Sequence, residues 1–460
     1  MVRTRRGAPG GWCARPYPEH VERGLGTVIA LVLAGATLAA CGSDDAGGGG
    51  SGDGPDRAPT TIAVPADHPT IQEAVDAARE GDTVLVSPGT YEEAVTIDVE
   101  DVTLRGTDRN GVVLDGTGIE ASGVTVIASG VTVANLTVRN FNNNGVLVTG
   151  FTEDGVGIGR GSDGYEVLDP EESPPLEGFA VRYVTASNNG LYGIYAFDSN
   201  DGVIEHSYAS GHPDSGVYVG QCEECDIVVR DNVLERNAVG YEQANASDSV
   251  VVVRNRLVGN RVGLTVLSDY QEAFVPNRST VVQGNLVADN NQADTPAQAE
   301  GGFGIGIGVS GAVDTTVRAN RVAGNRTAGV TITSSQDLPP EGTVLEDNDV
   351  TGNGTDVWYA ASDLAPGSGT CLSGGTVTST KPAGIATRWA CPGGGPETVG
   401  VPLVVAEAPE GLFYSDVVAG PEQPQMPEAD AALEAGSVDV DLASIGVPPA
   451  DLYADRAGVR

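Results

Sequence analysis

The sequence predicts an all-β fold, a parallel β-helix solenoid entered through an N-terminal amphipathic helix cap. Three observations carry this reading. Alternating segments headed by glycine recur at Gly193, Gly216, Gly240 and Gly263, in steps of 23, 24 and 23 residues. Asparagines keep the same beat, with Asn232 to Asn255 and Asn237 to Asn260 each 23 apart. Each unit holds short alternating runs and no helical stretch, which excludes leucine-rich and helical repeats. A fixed period in this range marks a solenoid. Three short strands per turn, each paired with its counterpart one turn on, build parallel coils.

The chain opens on an address. Residues 27–40, TVIALVLAGATLAA, are apolar but too short to span a bilayer as a permanent helix. Arginines precede the run, and small residues close it at Leu38-Ala39-Ala40-Cys41. Residues 1–40 therefore read as a cleaved export signal. The Leu-Ala-Ala-Cys string resembles the bacterial lipobox, and that resemblance implies diacylglycerol on the Cys41 thiol. The protein is then extracytoplasmic and held to the cell membrane by its lipid anchor only. An ordinary secretory peptide with an incidental Cys is the alternative. Residues 41–60, rich in Gly, Ser and Asp, have nothing to bury and read as a flexible tether.

Next comes the helix and the first strands. Asp67–Gly81 places Ile71, Ala74, Val75 and Ala78 on one helical face, with Gly81 as a stop. Thr83–Val86, Tyr91–Ile97 and Val102–Leu104 read as strands around a Pro88-Gly89 turn. The β-helix is expected over 61–365. Later repeats, Asn285/Asn290, Asn320/Asn325 and Asn348/Asn353, are spaced more widely because loops such as Gln292–Gly302 and Ser334–Gly342 intervene. In this reading Val, Ile and Leu stack inward. Asn at the bends bonds its amide to adjacent coils and tolerates the left-handed conformation. Residues 366–395 read as a terminal loop closed by a disulfide. The acidic stretch 396–460 lacks periodicity and either packs along the coils in extended form or stays disordered.

Composition narrows the function. The net charge of −38 excludes nucleic-acid binding through a basic face. Loss of residues 1–40 removes five arginines and two acids, leaving −41. Four histidines and two methionines argue against a multi-histidine metal protein or a copper-delivery β-helix. No cofactor is expected. Asp is abundant enough to serve calcium, but no Asp-Xaa-Asp-Xaa-Asp-Gly loop occurs, so a metal site is left unassigned.

Thr70-Ile-Gln-Glu-Ala-Val-Asp-Ala-Ala, Val84-Leu-Val-Ser-Pro-Gly-Thr-Tyr91 and Val95-Thr-Ile97 resemble the N-terminal cap of the pectin-lyase-like right-handed β-helix proteins. The repeats from Val124 to Tyr359 are similar to their coils. The resemblance implies a right-handed helix. It leaves activity open, because that superfamily mixes lyases, hydrolases, esterases, epimerases and non-enzymes. More narrowly, Asp214-Ser-Gly-Val-Tyr-Val-Gly-Gln221 and the Cys371 to Cys391 segment resemble secreted bacterial β-helix lipoproteins of unassigned biochemistry.

Of six cysteines, Cys13 leaves with the signal and Cys41 is the lipid site. In an exported protein the remaining four favour two disulfides, most simply Cys222–Cys225 and Cys371–Cys391. Zinc is the alternative, but one Cys-Xaa2-Cys is half of what a ribbon needs. A redox role lacks the positive surroundings that stabilise thiolate.

Alternation also exposes a candidate site. With Ile194, Val217, Tyr241 and Leu264 inward, Tyr195, Tyr218, Glu242 and Thr265 stand outward in one row. Asp198, Gln221, Asn245 and Ser268 follow further along. Coils about 4.8 Å apart would make this a shallow strip matched to an extended polymer, with carbohydrate as the natural partner. Tyr195, Tyr218, Asp198, Gln221 and Asn245 are the candidate ligand-binding residues. Glu242, Asp214 and His212 are the candidate catalytic ones, with Asp214 and His212 projecting over the strip from a Gly-His-Pro-Asp turn. Tyr241 and Gln243 falling inward raises the alternative of a bulge that swaps Glu242 to the inside. Hydrolysis needs two carboxylic groups. Lyase or epimerase chemistry on uronates needs a base, Tyr218, His206 or His212, and a cation, Arg182 or Arg230. The readings left open are a lipid-anchored polysaccharide binder, acting alone or with a partner protein, and an enzyme of these classes.

Overall fold

The computed structural model describes residues 58–153, 156–158, 174–427 and 433–459. The export signal and Cys41 lie outside them. Among the described residues no helix is long and apolar enough to cross a membrane.

Among the described residues, each turn of chain after the N-terminal helix lays one strand into each of three parallel sheets, of twelve, eleven and eleven strands. The coil made of Ile227–Arg230, Val233–Glu235 and Val239–Ser247 shows the plan, one strand for the first, second and third sheet in turn. The third sheet settles the predicted register. Val146, Ile194, Val217, Tyr241, Leu264, Ile307, Val330 and Val357 are partners on successive coils. All are buried in one core. Each fully buried aliphatic side chain contributes about 1.5–3 kcal/mol, so the column stabilises the coils from end to end. No bulge intervenes at Tyr241. It and Gln243 both face inward, the Tyr241 hydroxyl donating to Gln243 Oε1 at 3.1 Å. The Gln243 amide donates to Asn277 Oδ1 and Thr280 Oγ1, so the buried polar group is satisfied.

The asparagine beat becomes two ladders. Asn232, Asn255, Asn285, Asn320 and Asn348 form one, and Asn237, Asn260, Asn290, Asn325 and Asn353 the other. At each step the amide NH2 donates to a backbone carbonyl and to the oxygen of the next asparagine. That oxygen also accepts the backbone N–H of the coil before it. The repeat glycines follow from this. A Cβ on Gly240 would stand 2.9 Å from Asn260 Nδ2 and 2.5 Å from the Gly263 carbonyl. The ladder amide of the next coil takes the space a side chain would need.

The N-terminal helix spans Ile71–Ala77, shorter than the sequence pattern. Thr70 caps it by accepting from Glu73 N, and the Glu93 carboxylate accepts from Ile71 N and Gln72 N. Ile71, Ala74 and Val75 enter the core. The expected strand Tyr91–Ile97 divides into Gly89–Tyr91 and Val95–Ile97, because the chain turns there from the second sheet to the third.

Beyond the coils the described parts of the C-terminal segment lie along their outside, largely extended, the part before residue 428 running back along the solenoid. Its carbonyls are taken by side chains of the solenoid. Trp358 Nε1 donates to Val401 O, Arg261 to Pro409 O and Glu410 O, and Asn188 to Tyr414 O and Val417 O. Further along, Gln283 donates to Leu442 O and Ile445 O, and Arg256 to Leu452 O and Val459 O.

Candidate functional site

The outward row pairs as predicted, Tyr195 on Tyr218 on Glu242 on Thr265, then Gly308 and Thr331. Its two tyrosines are nevertheless not a sugar platform. Tyr195 is 1% and Tyr218 3% exposed. They belong to a small apolar cluster outside the sheet with Leu147, Tyr192, Phe197 and Ala244, edged by Phe151, Leu191 and Leu267. Tyr192 lies 4.3 Å from Tyr195 and 5.0 Å from Tyr218 between ring centroids. Aromatic rings bury too much apolar area to stay wet when a neighbouring loop supplies a cover.

Asp198, Gln221 and Asn245 also stack in file, but at a bend where each has positive φ, 53°, 50° and 44°. All three are buried, and Gln221 and Asn245 serve the loop that follows Leu267. Gln221 Oε1 accepts from Ala273 N at 3.1 Å. Asn245 Nδ2 donates to Asp269 O at 2.6 Å and Glu272 O at 2.7 Å, and its oxygen accepts from Asp269 N. Ser268 Oγ accepts from Asn277 N at 2.9 Å. Gln221 and Asn245 are thus loop anchors, not ligand groups. The Asp198 carboxyl, pushed up by burial to about 6, has one oxygen without a hydrogen-bond partner among the described residues.

His212 does not project over the strip. It is fully buried at the head of the second asparagine ladder, its Nδ1 2.8 Å from Asn237 Oδ1 and its Nε2 3.2 Å from Asn189 Nδ2. Burial pushes it down to about 4. Its place in the file is set by the Asn beat, which a histidine can satisfy with one donor and one acceptor.

Asp214 and Glu242 remain partly exposed and meet in a groove of about 500 Å³ on the outer face of the third sheet. Glu242, Thr265, Gly308 and Thr331 supply one row of its floor, and Ala244, Leu267, Ser310 and Thr333 the next. The loops after the strands form one wall, with Asp269, Glu272 and Gln336. The other wall is apolar at its base, where Val239, Val262 and Ile305 pack with Leu403. The Tyr218 hydroxyl, at the groove's edge, donates to Glu272 Oε1. Burial, with the Glu272 charge adding to it, holds that phenol well above the usual tyrosine range.

Asp214, Glu242, Asp269, Glu272 and Glu300 line this groove, and among the described residues no Lys, Arg or His does. The cations considered for uronate chemistry are elsewhere. Arg182 and Arg230 flank Glu205 on the first sheet, at 3.2 and 2.5 Å. His206 stacks on Tyr183 at 4.7 Å, and burial outweighs Asp231 and Glu205 to lower its pKa. Among the described residues no three His, Cys, Asp or Glu side chains gather as a metal-binding set. Cys222–Cys225 and Cys371–Cys391 are both disulfide-bonded.

Sequence reasoning missed Tyr192, Asp269, Glu272 and Leu403. Asp269 and Glu272 had a readable signal. Asn255 to Asn285 spans 30 residues where the beat is 23, so an inserted loop had to lie over the strip. Leu403, far along the chain in a segment without periodicity, had none.

The model of the right handed β-helix region matches residues 90–280. No curated protein matches the chain. Among solved structures, the A-module of a mannuronan C-5 epimerase from Azotobacter vinelandii is similar, with 17% identity and a TM-score of 0.38 over 68% of this chain and 87% of that one. A pectate lyase shares 13% identity, with a TM-score of 0.38 over 67% and 72%. The enzymatically active domain of tailspike protein 2 of bacteriophage CBA120 shares 10%, with a TM-score of 0.46 over 75% and 49%. These likenesses are of fold.

Proposed function

Since the chain is a right-handed parallel β-helix protein, we propose that it binds an extended polysaccharide in the groove on its third sheet, outside the cytoplasm and tethered by lipid on Cys41. The observation that carries this is the floor of the groove. It presents one outward position from each successive coil, the side chains of Glu242, Thr265 and Thr331 and the bare backbone of Gly308. A step of about 4.8 Å per coil is close to the length of a pyranose unit, so a polymer laid across the strands meets an equivalent position at each sugar. The walls supply carboxylates and amides for hydroxyl groups, and the partly exposed Leu403 and Val405 for C–H faces.

The second reading is a glycoside hydrolase using the same groove. It is favoured by Glu242 and Glu272 facing one cavity, since hydrolysis requires two carboxylic groups. Lyase or epimerase action on uronates has less support, because among the described residues no cation lines the groove to neutralise a sugar carboxylate.

Incubating the purified protein with a glycan panel separates the two. Retention without product is the binder, and loss of that retention in Glu242→Gln ties it to the groove. Chain shortening that disappears in Glu242→Gln is the hydrolase. A panel with neither binding nor product removes the proposal. For the tether, Cys41→Ala is expected to release the protein from membranes, and retention of that variant at the membrane overturns the lipid site.

A further inference from the structure

The groove's two walls differ in chemistry, and the difference bears on which glycan it takes. Resting on the polysaccharide reading above, we infer that the groove accepts chains without carboxylate groups and rejects uronate polymers, and that the C-terminal segment completes the site by supplying its apolar wall.

Two independent observations carry this. The first is the charge of the lining. Carboxylates stand on the floor at Glu242 and on the loop wall at Asp269 and Glu272, with no cationic side chain among the described lining residues. Ionised carboxylates accept hydrogen bonds and cannot donate them. They suit hydroxyl and amino groups and repel a sugar carboxylate, most strongly where the walls exclude water.

The second is the origin of the apolar wall. Val239, Val262 and Ile305 are register partners on three consecutive coils, so they form a strip along the solenoid axis. Leu403 packs on that strip, and Val405 also lines the groove. Both come from the segment that returns outside the coils. It is fixed before them by Trp358 Nε1 on Val401 O, and after them by Thr327 Oγ1 accepting from Ala406 N and by Arg261 on Pro409 O. The wall is therefore held at three points. A sugar that sets its hydrogen-bonding edge on the carboxylates turns its C–H face to Leu403, which covers the buried strip, and to Val405, both of which stay partly exposed in the groove.

The test measures retention of the full secreted protein on a neutral β-glucan, a partly deacetylated amino-sugar polymer and polygalacturonate, at low and moderate salt. Retention is expected on the neutral glucan at both salts and on the amino polymer with added strength at low salt, with none on polygalacturonate. Leu403→Asp is expected to weaken the neutral glucan about tenfold, a change of about 1.4 kcal/mol. Glu242→Gln is expected to weaken the amino polymer, whereas Glu92→Gln, remote in the sequence and away from the groove, leaves it unchanged. Binding of polygalacturonate, equal losses in Glu242→Gln and Glu92→Gln, or full neutral-glucan binding by a folded Leu403→Asp overturns the inference while leaving polysaccharide binding intact. Failure to retain any of the three polymers overturns both. Unchanged thermal unfolding of each variant shows that the fold was kept.

Discussion

His212 Nδ1 lies 2.8 Å from Asn237 Oδ1, so a histidine occupies the rung that asparagine fills on the following coils. Asn237 Oδ1 accepts, and Asn189 Nδ2 donates to Nε2, which places the proton of a neutral ring on Nδ1. Burial lowers the folded-state pKa from 6.5 to about 4. Between those values the unfolded chain takes up a proton that the folded chain refuses. The stability this group supports is complete above pH 6.5 and falls as pH drops toward 4, by on the order of 3 kcal/mol. His212→Asn is expected to keep the ladder and lose that slope. Urea unfolding of both proteins at pH 7.5 and 4.5 checks this, and an equal pH dependence in the variant contradicts it.

Asn255 is the inner test of the ladders. Its oxygen accepts from Asn232 N and Nδ2, and its amide donates to Val229 O and Asn285 Oδ1. Asn255→Ala leaves these buried partners unmatched and is expected to cost about 3 kcal/mol or more. Asn353→Ala, at the half-buried end of the other ladder, is expected to cost clearly less. Equal losses in chemical denaturation would show that burial does not govern the ladder's strength.

Asp198 works in the opposite sense. Burial raises its carboxyl from 3.8 to about 6, so the folded state favours the protonated form. Its contribution is full below pH 3.8 and lost as pH rises through 6. Asp198→Asn keeps a residue that tolerates positive φ and is expected to stabilise the protein at pH 7.5 by on the order of 2 kcal/mol. That gain is expected to vanish at pH 3.5. Denaturation midpoints at the two values decide it.

Gly420 marks where the C-terminal segment crosses Tyr208. A Cβ there would stand 2.1 Å from the Tyr208 hydroxyl, which is pinned by its bond to Glu235 Oε1 at 2.7 Å. Glu235 also accepts from Gly458 N and Val459 N, so the last residues of the segment are held at the same place. Gly420→Ala is expected to lift the segment and open it to proteolysis near residue 420. Adding Tyr208→Val, which matches Val233 on the next coil, is expected to restore protection. Cleavage rates of the two variants by a broad protease test this, and equal rates reject the steric account.

The solenoid was legible because its forces are periodic. Ile194, Val217, Tyr241 and Leu264 fall in one file since each coil must place an apolar side chain above the last, and the asparagines recur because one rung satisfies the next. Tyr195, Tyr218, Gln221 and Asn245 were assigned the right rows and the wrong surroundings. Their position on a row is a local property of strand alternation, while their exposure depends on what covers them.

What the sequence determined by itself was therefore the coil, its register, the ladders and the cysteine pairs. Tertiary structure alone decided that two tyrosines go into a secondary core, that His212 becomes a rung, and that Leu403 walls a groove built 140 or more residues earlier around Glu242 and Val262. The physical reason is range. Strand pairing repeats every coil and leaves a period to read, whereas the docking of a returning segment and an inserted loop happens once, between residues whose distance along the chain carries no pattern.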